Sequence, residues 1–232
     1  VPGNHDWGNI VSQGNLSAYD TYWGAQGRPN STPAHFYSFD TPAGWHIVAL
    51  DSSTQWCGSV ANPSATYTAL AADLAANAGK PLIAFWHHPR FSDGTDVADP
   101  GGTADGTVMT DIWNLLYDNH CDLVFSGHCH SYQRFPKLGK TGLSDAAGIT
   151  QFVVGTGGSG LFTLTGVGRA TINSFQVPAY DNLLSKWFGY LKLFLTPHTY
   201  SWQFVSQNAG GSEAPGQVLD SGGPIVSNRF TY

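Results

Sequence analysis

The spacing of apolar and polar positions changes several times along the chain, and each change marks an element. Between His35 and Asp51, HFYSFD and WHIVALD carry strand-type residues on either side of the turn-forming TPAG, which predicts a β-hairpin. From Ser64 the period becomes helical. Tyr67, Leu70, Ala71 and Leu74 fall on one helix face, Ser64 or Thr66 can cap its start, and Gly79 closes it just after Asn77. PLIAFW at 81–86 is a short unbroken apolar run, as a buried strand requires. The Gly- and Asp-rich stretch from Ser92 to Gly106 reads as a long loop. Thr110 to Asn119 then returns to helical spacing, with Ile112, Leu115, Leu116 and Tyr117 facing inward. CDLVF at 121–125 and TQFVVGTGG predict two more strands, and FGYLKLFLT with TYSWQFVS predicts an antiparallel pair.

Strand and helix alternate in the middle and hairpins flank them, so the expected fold is α/β: a sandwich of two mixed β-sheets flanked by helices, not a doubly wound parallel sheet. No repeat of 20 to 50 residues, heptad or low-complexity tract divides the chain, which reads as a single domain over 1–232.

Composition narrows the partners. Ten Lys plus Arg against 16 Asp plus Glu leave a net charge of −6, and 41% hydrophobic residues are ample for a core, which excludes a disordered chain. Without a basic stripe, nucleic acid is not an expected partner. No run approaches the ~18 apolar residues of a membrane span. Glu213 is the sole Glu, and 28 Gly, 8 Trp and 10 Tyr favour strands and elaborate loops, a make-up common in exported proteins, so an extracellular or periplasmic location is expected. Cys57, Cys121 and Cys129 cannot all pair with one another, and Cys57 is expected to be unpaired. The chain opens on Val1 and its only Met is Met109, so it reads as a processed product or a fragment.

Five of the nine histidines lie in three short segments: Gly3-Asn4-His5-Asp6, His87-His88-Pro89 and Gly127-His128-Cys129-His130. Two of these directly follow predicted strands, and α/β folds build ligand sites at the carboxyl ends of parallel strands. Imidazole suits Zn, Fe and similar ions, and two rings of a His-x-His segment can serve one ion or two neighbours. Singly, each segment also fits an ordinary hydrogen-bonded loop. If the GHCH segment is extended, Cys129 points away from its flanking histidines and packs inward.

Taken together, GNHD at 3–6, FWHHPRF at 85–91 and SGHCHSYQRF at 126–135 resemble the third, fourth and fifth motifs of the calcineurin-like metallophosphoesterases, most closely their purple acid phosphatase-like, exported bacterial branch. GITQFVVGTGGSGL at 148–161 and FGYLKLFLTPHTYSWQFV at 188–205 are similar to that branch's closing strands. The resemblance implies that Asn4, His87 and His128 ligate one ion of a two-metal centre and His130 the other, the ions being Fe, Zn or Mn. It makes His5 the non-ligand histidine that contacts the phosphate and protonates the leaving oxygen, with Asp6 orienting it. His88 is then a neighbouring or structural residue. The activity implied is hydrolysis of phosphate monoesters, small phosphate esters being the substrates, by attack of metal-bound hydroxide.

The family also has two earlier motifs that supply carboxylates, one of them bridging the ions, and neither occurs in these 232 residues. The domain is therefore expected to be the C-terminal part of a larger one. Two ions ~3.5 to 4 Å apart cannot be held by neutral ligands alone, so this chain alone is expected to hold one ion or none. Missing core strands would leave sheet edges open to self-association. The alternative is a non-catalytic or partial metal-binding remnant of the fold; a mononuclear hydrolase built on Asn4, His87 and His128 is a third reading. A further departure is Asp96, in a loop where exported relatives often carry a histidine; Arg90 or Arg134 could compensate.

Overall fold

The computed structural model describes residues 1–9, 12–13, 15–27, 35–92, 106–162, 171–172, 175–176, 182–184, 187–208 and 215–230. Asn4–Trp7 forms a 3-10 turn, followed by a small ribbon, β1 (Gly8–Asn9) with β2 (Ser12–Gln13), and helix α1 (Ser17–Ala25). The expected hairpin is present as β3 (Tyr37–Asp40) and β4 (His46–Ala49). A single turn, α2 (Thr54–Cys57), precedes α3 (Ala65–Ala76), whose cap is Ser64: its side chain accepts from the Tyr67 N–H at 3.1 Å. Then come β5 (Leu82–Phe85), α4 (Thr110–Asp118), β6 (Leu123–Ser126), β7 (Tyr132–Leu138) and β8 (Ile149–Val154). A second ribbon, β9 (Thr171–Ile172) with β10 (Phe175–Gln176), leads to β11 (Asn182–Leu184) and to β12 (Phe188–Leu195), β13 (Thr199–Asn208) and β14 (Val218–Val226).

The large sheet has the order β11-β7-β8-β6-β5-β4-β3. Its centre, β8-β6-β5-β4, is parallel, and the outer pairs are antiparallel. The three strands β12-β13-β14 make a second sheet that is antiparallel throughout, so the mixed character expected of both sheets belongs to the larger one. Alternation along the central strands sends Val48, Ala84 and Val124 to one face, against α3 and α4, and Ile47, Ile83 and Leu123 to the other, against Tyr200, Trp202 and Phe204 of β13. In α4 the buried residues are Ile112, Trp113 and Leu116, with Leu115 and Tyr117 only partly covered. Trp113 takes an inward place because its Nε1–H reaches the Gly139 carbonyl at 3.2 Å.

Two polar bolts hold the layers. Between the sheets, the carboxylate of Asp220 accepts from Tyr132 Oη at 2.6 Å, from Arg134 Nε at 2.8 Å and from Trp202 Nε1 at 3.3 Å. At the opposite end from the histidines, Asn228 donates from Nδ2 to the carbonyls of Cys121 and Gly148, and its backbone N–H goes to Asp122. Lys137 Nζ donates to Asn228 Oδ1 at 2.6 Å. These are buried polar groups, and each finds its partner in the closing segment.

Candidate metal centre

The parallel order of β4, β5 and β6 brings their carboxyl ends side by side, and the chain leaves them as Asp51-Ser52, His87-His88 and Gly127-His128. Gly127 N–H donates to the His87 carbonyl at 3.0 Å, which extends the β5–β6 ladder into the loops. The N-terminal turn lies across this mouth. Asn4 is buried, and its Oδ1 is 2.9 Å from His87 Nε2, although the residues are 83 apart in sequence. His87 Nε2 is in turn 3.3 Å from His128 Nδ1. Among the described residues, His87, His88 and His128 form the one group of possible metal ligands, with ligand atoms all within 4.8 Å of one another. No carboxylate of the described residues joins it.

Burial above all, and then the imidazoles of His88, His128, His5 and His130, push the His87 imidazole down to about 2, so the ring stays neutral with a lone pair to offer. One carbonyl oxygen and facing imidazole nitrogens suit a cation. His128 carries φ +57°, a left-handed value that costs a non-glycine residue on the order of 1–3 kcal/mol and marks it as held in place by its surroundings. The GHCH segment is therefore not extended. Cys129 still packs inward, 2% exposed within the core facing α3 and α4, where Ser92 Oγ donates to its Sγ.

His130 stands apart from the three clustered rings. Its Nδ1 donates to the Gly160 carbonyl at 2.8 Å, its ring stacks on Phe162 with centroids 4.1 Å apart, and its own carbonyl accepts from Phe162 N–H. A carbonyl can only accept, so Nδ1 carries the proton and Nε2 is left bare for a ligand role. His5 is exposed at the rim. The hydrogen bond of the Asp6 carboxylate is not to His5 as expected: Asp6 Oδ2 accepts from Gly3 N–H at 2.7 Å, so that Asp6 closes the turn presenting Asn4. Asp96 lies outside the described residues. Arg134 is committed to Asp220, and Arg90 is 4% exposed with its guanidinium over Phe91.

Sequence reading missed Ser52, the hub beneath the cluster. Its Oγ accepts from His87 N–H at 3.1 Å and His88 N–H at 2.9 Å and lies 3.0 Å from His88 Nδ1. Asp51 holds that turn: Oδ1 accepts from Ser53 N–H at 2.7 Å and Oδ2 from Trp7 Nε1 at 3.0 Å, tying β4 to the N-terminal turn. The available signal was Asp-Ser-Ser directly after a strand, a usual side chain to backbone capping pattern. None of the three cysteines is in a disulfide, Cys57 as expected, and burial pushes the Cys57 thiol up to about 12.

No protein-family profile matches the chain. Two Arabidopsis thaliana proteins are similar in sequence: purple acid phosphatase 22, 32% identical over 165 residues, and purple acid phosphatase 18, 32% identical over 127 residues. The matches cover 68% and 53% of this chain but only 35% and 27% of those proteins, so the chain spans about a third of its curated relatives at most. In fold it is similar to a purple acid phosphatase, PPD1, from yellow lupin seeds, with a TM-score of 0.69 at 18% identity over 95% of this chain and 38% of that one. Two further structures share the fold: GAP50, the anchor in the inner membrane complex of Plasmodium (TM-score 0.54, 18% identity, 83% and 53% covered), and PhoD (TM-score 0.52, 14% identity, 88% and 45% covered). The chain is thus a distant relative of the purple acid phosphatases with their fold and a cluster of histidines able to bind metal.

Proposed function

We propose that this chain carries the histidine side of a binuclear metal centre that hydrolyses phosphate monoesters, its carboxylates being supplied by a segment outside the 232 residues. The observation that carries this reading is the run Asn4 Oδ1, His87 Nε2, His128 Nδ1, with contacts of 2.9 and 3.3 Å between residues far apart in sequence. The donor set fits a cation: two imidazole nitrogens face each other at a separation that needs a proton or an ion between them. Asn4, His87 and His128 would hold the first ion and His130, through Nε2, the second. When bound, the ions would supply a nucleophile at neutral pH and neutralise the developing charge on phosphorus. The chain's own part is then to orient the ester and to protonate the departing oxygen, a role we assign to His5, which is exposed at the rim. Export from the cell belongs to the same proposal and rests on composition and the resemblance.

A second reading, a non-catalytic member of the fold, is favoured by one observation: no described carboxylate reaches the cluster. The two are separated by assay. With added Zn²⁺, Mn²⁺ or Fe, this chain alone is expected to bind no more than one ion and to turn over an aryl phosphate negligibly. The same chain joined to a purple acid phosphatase segment carrying the two missing motifs is expected to bind two ions and to turn over. An inactive, one-ion joined protein that is folded would favour the non-catalytic reading. Robust turnover by the chain alone would overturn the half-centre argument.

A further inference from the structure

We propose that Ser52 is a positioning residue that removes His88 from the ligand set and keeps it as a hydrogen-bond donor beside the ion. The inference rests on the metal-centre reading and says what the adjacent histidine of the pair does there. Distance alone would make His88 the third ring ligand, since its ligand atom lies within 4.8 Å of those of His87 and His128.

Counting protons gives a different answer. A hydroxyl oxygen has two lone pairs and one hydrogen. Both lone pairs of Ser52 Oγ are used, by the N–H groups of His87 and His88. The third contact, 3.0 Å to His88 Nδ1, must then be made by the hydroxyl hydrogen, with Nδ1 accepting. The same count excludes a ring protonated at both nitrogens. A neutral ring that accepts at Nδ1 carries its proton on Nε2, and it has no lone pair left for a cation.

What remains is an Nε2–H in the ligands' own surroundings. The His88 ring is 3% exposed, with its centroid 4.5 Å from that of His128 and 4.9 Å from that of His87. One serine thus gives two neighbouring residues of the same type opposite roles. It holds both backbones by their N–H groups but touches only the second ring.

The test reads the tautomer directly. In long-range ¹H–¹⁵N correlation spectra of the EDTA-treated chain labelled at histidine, His88 is expected to be protonated at Nε2 and His130 at Nδ1. Ser52→Ala should leave His88 exchanging between tautomers while His130 keeps its pattern. An Nδ1–H form of His88 in the wild type would overturn the proposal. Zn²⁺ titration by calorimetry is the second readout. His88→Gln should change affinity by no more than about threefold, whereas His87→Gln should lower it about 10- to 100-fold. Equal losses in two folded variants would place His88 among the ligands and overturn the proposal. If His88→Gln does not fold, or if the wild type binds no Zn²⁺, the wild-type spectra still decide the role of Ser52; absence of Zn²⁺ binding counts against the metal-centre reading instead.

Discussion

Gly3 sits against the His87 ring so closely that a Cβ built on it would come within 2.7 Å of Cε1 and 3.0 Å of Nε2. The ring cannot swing away, because Asn4 and His128 flank its Nε2. The N-terminal turn therefore docks on the strand-end histidine only because position 3 has no side chain. Gly3→Ala is expected to separate Asn4 Oδ1 from His87, to destabilise the fold by roughly 1–3 kcal/mol, and to weaken Zn²⁺ binding about tenfold. Urea unfolding and calorimetry measure the two effects; wild-type values in both would mean the turn docks elsewhere in solution.

Asp220 is the acceptor that joins the two sheets, and its partner Arg134 is itself largely buried. Asp220→Ala leaves that guanidinium, Tyr132 Oη and Trp202 Nε1 without their acceptor, for a loss of roughly 3–5 kcal/mol in urea unfolding. Asp220→Asn keeps an acceptor and is expected to cost less than Ala. Neither should change Zn²⁺ affinity in protein that remains folded. A loss below about 1 kcal/mol for the alanine variant would show that the bolt contributes little.

The carboxyl of Asp122 is raised from 3.8 to about 6 by burial, which outweighs the hydrogen bonds from Asn228, Ser227 and Leu82 that favour its anion. A folded-state value above the unfolded one means that its contribution to stability is full below about pH 4 and is lost as the pH rises through about 6. The loss is on the order of 3 kcal/mol. The side-chain carboxyl ¹³C shift of Asp122 should titrate with a midpoint near 6, and a midpoint near 4 would refute the assignment.

In the joined, two-ion protein, His5→Ala should lower kcat by roughly 10²- to 10⁴-fold, the range for loss of a general acid, while metal content stays near two per chain. His128→Ala should lower metal content first. If His5→Ala instead strips metal, His5 is a ligand and its assigned role as proton donor fails.

Periodicity carried most of the fold. The hairpin, helices α3 and α4 and the central strands follow from local spacing because each buries one face, and alternation along a strand is visible in the sequence; α1, as long as α4, buries no residue and left no such pattern. Trp113 escaped because its inward turn depends on the Gly139 carbonyl, a partner that local spacing cannot reveal. The histidine segments were legible as chemistry, since His87 and His128 follow their strands directly. Ser52 and Asp51 were not: a serine looks alike whether it faces water or receives two backbone N–H groups from another strand's end. The bond of Asp6 to Gly3 N–H shows the same limit, because an Asp two residues from Asn4 fits a partner in the site as well as a local turn.

Asn228 has a consequence for synthesis on the ribosome. The Cys121 and Gly148 carbonyls and the Asp122 carboxylate receive hydrogen bonds from a residue made 80 or more positions later. At ≈ 5–20 residues per second those strands wait several seconds for their cap. Until residue 228 has left the exit tunnel, this end of the parallel sheet is an uncapped intermediate. During that interval the nascent chain, not the finished protein, is the form in need of a chaperone.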